Sequence, residues 1–92
     1  MDIGFVWDAD KYQEVQKKHN VQFYEVVSAF DDPDVQVLPD PQRHTDRWML
    51  VGKTVSGRIL SVICSDEEAP LQRLITAFDA SGEVLNEYYK GS

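Results

Sequence analysis

The side chains suited to chemistry on an anion are Lys18, His19, Arg47, Lys53, Arg58 and Arg73. Lys18 and His19 fall at the end of a helical pattern, and the other four fall on strand-like segments. Metal-free cleavage of RNA needs few parts. A base takes the proton of a 2′-hydroxyl, an acid protonates the leaving oxygen, and cations stabilise the charge gathering on phosphorus. Arginine suits the last task because its planar fork grips two phosphate oxygens together. Histidine or lysine moves the proton. The set permits this chemistry without singling it out, since any one arginine reads more often as a salt-bridged surface residue.

Other chemistries lack their residues. The glycines stand at 4, 52, 57, 82 and 91, a spacing that fits neither a dinucleotide fingerprint nor a phosphate-binding loop. Asp31, Asp32 and Asp34 lack the later glycine and glutamate of a calcium loop and read as the end of a helix. His19 and His44 share no ligand spacing, and the single cysteine, Cys64, lies in an apolar strand as a buried thiol. No cofactor and no metal is expected.

The elements that must carry these residues follow from periodicity. Ile3 to Trp7 reads as a strand. Asp8 reads as the N-cap of a helix that runs to His19, with Tyr12, Val15 and His19 on one stripe and Asn20 as a left-handed stop. Phe23, Val26, Val27 and Phe30 define a second helix, ended by Asp31-Asp32-Pro33, and Phe23, Val27 and Phe30 are expected to face the sheet. Val35 to Leu38, between prolines, reads as an edge strand. Arg47 to Thr54 and Arg58 to Cys64 flank a turn at 54–57, an acidic connection spans 65–70, and Leu71 to Phe78 is a further strand. A last helix turns Val84, Leu85, Tyr88 and Tyr89 inward. The order β-α-α-β-β-β-β-α describes one α+β domain over residues 1–92, with helices packed on a mostly antiparallel sheet.

Composition agrees with a soluble globular chain. Of 92 residues 42% are hydrophobic and 27% charged, and no apolar run approaches the length of a membrane span. Asp2, Asp8 and Asp10 stand where a signal peptide would be basic and then apolar. One cysteine and no leader suggest a reducing, cytoplasmic location. The net charge of −7 repels nucleic acid on average and suits a basic partner. Locally the balance changes sign. Residues 31–41 carry Asp31, Asp32, Asp34 and Asp40 and no base, hence −4, whereas residues 42–58 carry Arg43, Arg47, Lys53 and Arg58 against Asp46, hence +3.

In their order these residues resemble the BrnT toxins of bacterial type II toxin–antitoxin pairs. Phe5-Val6-Trp7-Asp8 looks like that family's opening Phe-x-Trp-Asp, and Lys11 matches its helix lysine. Lys18-His19-Asn20-Val21-Gln22-Phe23-Tyr24-Glu25 is similar to its Lys-His-Gly-Val-Ser-Phe-x-Glu joint. Phe30-Asp31-Asp32-Pro33, Asp46-Arg47, Gly52, Gly57-Arg58, Arg73-Leu74-Ile75-Thr76-Ala77 and Tyr88 follow in register. The resemblance implies a RelE-like fold, metal-independent endoribonuclease (hydrolase) activity on RNA, a cytoplasmic location, and a cognate antitoxin covering the active face. Carried over residue by residue, it implies His19, Arg47 and Arg73 as catalytic residues: the arginines hold phosphate, and His19 or Lys18 handles protons.

Two departures remove positive charge. Phe78 stands where the family has a second arginine, and Gly82-Glu83-Val84-Leu85 replaces basic residues of the last helix. One lost preorganised charge costs about 10²–10³ in rate. A second reading therefore stands beside the enzyme: a scaffold without cleavage, binding a protein through Phe78, Tyr88 and Tyr89, whose alternative use is packing of the last helix. Position 78 has the opposite strand parity to Arg73, so the two share a face only where a bulge or the strand end turns the chain between them.

Overall fold

Asp8 begins the first helix as its type suggests. Its side chain accepts hydrogen bonds from the backbone of Asp10 and Lys11, and Asn20 closes the helix at φ 52°. These caps bound α1 (Ala9–His19) in a computed structural model that describes residues 5–40, 42, 45–65 and 72–91. The remaining elements are β1 (Phe5–Trp7), α2 (Phe23–Phe30), β2 (Gln36–Pro39), β3 (Arg47–Lys53), β4 (Ile59–Ser65), β5 (Gln72–Asp79) and α3 (Gly82–Gly91). The order is the expected one. Strand ends move by one residue, and the expected start at Ile3 and most of the 65–70 connection lie outside the described residues.

The strands form a five-stranded sheet in the order β1-β5-β4-β3-β2, with β2 at an edge. Only β1 and β5 run parallel; the other neighbours are antiparallel. Both faces are covered. Leu50, Leu60, Val62, Cys64, Leu74 and Ala77 pack with Val15, Val21 and Val26 of the α1–α2 side. On the opposite face Met49, Val51 and Ile63 pack with Tyr88 of α3. The alternation of Trp48 and Leu50 against Met49 and Val51 serves these two cores at once.

The second helix differs from expectation. Its buried residues are Glu25, Val26 and Ala29, while Phe23 is 38% exposed and Val27 and Phe30 are half-buried. The cause lies at Gly52. A Cβ there would stand 2.3 Å from the Ala29 carbonyl oxygen. At so close an approach α2 meets β3 through small residues; Phe30 still packs against the core as a half-buried side chain, whereas Phe23 does not. Phe23 instead joins Trp7 and Tyr12, with ring centroids 6.1 and 6.2 Å away, and its backbone N–H donates to the Tyr12 hydroxyl.

The inward stripe of α3 is also narrower than expected. Tyr88 is buried, Val84 and Leu85 are half-buried, and Tyr89 is 59% exposed. Phe78, Tyr88 and Tyr89 therefore share no exposed patch, and Tyr88 takes the packing role. The Tyr88 hydroxyl donates to Asp32 at 2.5 Å, and its carbonyl accepts from the Gln36 amide. Asp32 also accepts from the backbone of Asp34 and Lys53. The Asp-Asp-Pro motif is thus a helix stop whose second carboxylate ties α2, β3 and α3 together.

Candidate active site

The register of the sheet brings two of the expected residues together. Arg47 pairs with Ser65 across β3 and β4, and Ser65 pairs with Arg73 across β4 and β5. Directly paired residues point to the same face, so both arginines flank the small, buried Ser65 on the α3 side of the sheet. Two strand spacings separate their backbones, about 10 Å. Arginine side chains cross that gap readily. Both line one open depression of about 390 Å³, together with Asp8, Lys11 and Ile75. The Arg47 Nε is buried and has no hydrogen-bond partner among the described residues.

A β-bulge shapes this surface. Ile63 pairs with Thr76 and Cys64 pairs with Leu74, so Ile75 is the extra residue. The inserted residue reverses parity along β5. Arg73 and Phe78 consequently lie on the same face, opposite Ser65 and Ser61. Beside the bulge β1 stops, since its last pair is Trp7 with Leu74. Beyond that point no described strand covers the edge of β5, and α1 lies against it.

His19 stands at the C-terminal end of α1, exposed, rather than in the buried stripe with Val15. Its ring is 6.0 Å from that of Phe78. It lines a second depression with Lys11, Glu14, Lys18 and Thr76, separate from the one holding both arginines. Lys11 borders both depressions, so the histidine is a neighbour of the arginine pair and not part of it. Lys11, which the sequence offers only through the family resemblance, joins the site by its position on α1. Its helical spacing with Lys18, i and i+7, is the signal that places both on one face of α1. Lys18 is held by Glu14 at 2.9 Å.

Arg58 and Lys53 do not join this surface. Arg58 donates to Asp79 and Glu25 and to the carbonyls of His19 and Asn20. One guanidinium thus fastens the end of α1, the start of α2 and the end of β5. The hydrogen bond from Arg58 outweighs the opposing effect of burial and holds the Asp79 carboxyl below its ordinary pKa. Lys53 lies beside Asp31, Asp32 and Val55 on another part of the molecule. Cys64 is buried and its thiol is pushed up to about 12 by that burial, so it is no nucleophile at neutral pH. His44 lies outside the described residues, and among those residues no group of His, Cys, Asp or Glu is arranged to hold a metal.

The crystal structure of the Brucella abortus ribonuclease toxin, BrnT, superposes with a TM-score of 0.68, covering 88% of this chain and 100% of that one. At 23% identity this likeness establishes a shared fold. No curated protein matched the sequence. The family model for the ribonuclease toxin, BrnT, of type II toxin–antitoxin systems matches residues 7–83. That span holds both arginines, His19, Lys11 and the bulge, and the chain belongs to the BrnT family of type II ribonuclease toxins.

Proposed function

We propose that this chain is a metal-independent endoribonuclease that is neutralised by a cognate antitoxin. The observation that carries the reading is the row Arg47–Ser65–Arg73, two arginines on one face across a small residue, with Lys11 at the same depression. These cations supply the positive charge that a metal provides in other nucleases. The arginines grip the non-bridging oxygens of the scissile phosphate. The 2′-oxygen attacks phosphorus, the bond to the 5′-oxygen breaks, and a cyclic phosphate and a 5′-hydroxyl result. His19 or Lys18, both at the adjoining depression, carries the proton from the 2′-hydroxyl to the leaving 5′-oxygen. The antitoxin covers this face in the cytoplasm.

Expression of the chain alone should arrest growth, and the purified protein should cut RNA in the presence of EDTA. Arg47→Ala and Arg73→Ala should each lower the cleavage rate by about 10²–10³. Cleavage that persists unchanged in both variants would refute the assignment. A harmless chain that cuts nothing would favour the scaffold reading, in which the cost of Phe78 in place of arginine was decisive.

A further inference from the structure

The depression that holds Arg47 and Arg73 adjoins a third one. Ile63, Ile75, Thr76 and Phe78 line it together with Gln42, the buried Asp40 and Arg47, and Arg47 is the wall it shares with the arginine site. Its volume is about 220 Å³. An apolar cavity of roughly 150 Å³ accepts a benzene ring, so this space takes one nucleobase. The three depressions meet at the bulge. Ile75 borders the arginine site, Thr76 borders the histidine site, and Phe78 touches the His19 ring.

This arrangement combines an aromatic platform with cations on either side. A single RNA strand has the same alternation, with a planar base beside each charged phosphate. Proteins that read single strands pair stacking rings with basic grooves in this way. Resting on the ribonuclease reading, we propose that Phe78, lining this depression with Ile75 and Ile63, receives one unstacked base of the strand whose phosphate Arg47 and Arg73 hold. The ring thereby offers a stacking surface beside the two arginines. The bulge makes this possible, because without the extra residue Phe78 would face the α1–α2 core.

The test uses an uncleavable 2′-fluoro RNA hexanucleotide with 2-aminopurine at its centre, titrated with the full chain. Stacking on Phe78 should quench the fluorophore. Phe78→Leu keeps apolar bulk against α3 and loses the ring, so it should abolish the quench and weaken binding about 5- to 150-fold. Phe78→Trp should retain both. Quenching and affinity that are the same in the natural chain and in Phe78→Leu would overturn the base site. Binding and quenching do not depend on cleavage. A chain that binds with a Phe78-dependent quench yet cuts nothing keeps this proposal and loses only the catalytic one.

Discussion

Asp32 and Tyr88 show how one pair of residues gives the stability two pH limbs. Burial opposes the Asp32 carboxylate, but the hydrogen bond from Tyr88 and the backbone donors of Asp34 and Lys53 prevail and hold its pKa below the ordinary value of 3.8. The unfolded chain therefore binds this proton first as pH falls, and the contribution is present above about pH 4 and lost below it. Tyr88 is the opposite case. Burial, and then the bond to Asp32, raise its pKa from 10.0 to about 12. The unfolded chain loses this proton first, so stability present below pH 10 declines as pH rises toward about 12. Tyr88→Phe removes a hydrogen bond to a charged group and should cost about 1.5–3 kcal/mol at pH 7. Urea unfolding across both limbs checks the account: the alkaline decline should be shallower in Tyr88→Phe than in the natural chain.

At the scale of elements, the contact of α2 with β3 depends on the absence of one carbon. The Ala29 carbonyl oxygen occupies the place of a Gly52 Cβ, and Val35 closes the same spot from the side. Backbone cannot yield as a side chain tip can. Gly52→Ala should therefore push the helix off the sheet and cost about 1–3 kcal/mol or more. Denaturant midpoints measure this directly, and a variant as stable as the natural chain would show that the helix slides freely. Arg58 is the second joint between elements. Its loss would release the end of α1, and with it the backbone carbonyl of His19.

For the whole molecule the governing quantity is charge. A total of −7 surrounds a face where Lys11, His19, Arg47 and Arg73 gather. An antitoxin with net positive charge should be drawn to the molecule at long range by this total, while the segment that covers the cationic face itself should be acidic or apolar. Exposed charges are screened over about 8–10 Å at physiological salt. The on-rate for the antitoxin should therefore fall several-fold between low and physiological ionic strength. Stopped-flow association at several salt concentrations tests this, and a flat on-rate would mean that encounter owes nothing to the net charge.

Much of this was legible in local sequence. Asp8 and Asn20 mark both ends of α1 because capping depends on neighbouring backbone groups alone. The turn at 54–57 is equally local, with Gly57 at φ 88°. The strand character of β3 was legible too, whereas its burial on both faces was not, because that depends on α3 packing on the second face. Other features depend on partners far along the chain. The stripe of α2 misled because its period shows which residues share a face, not how near the sheet will come; Gly52, more than twenty residues later, decides that. Arg58 looked like a candidate phosphate ligand until Asp79 and Glu25 were brought to it. The candidate site depends most on the assembled sheet. Arg47 and Arg73 are 26 positions apart, and only the pairing of each with Ser65 sets them side by side. The bulge at Ile75 carries no glycine or proline to announce it. It is visible only in the pairing of β5 with β4, and it turns Phe78 to the face that Arg73 occupies.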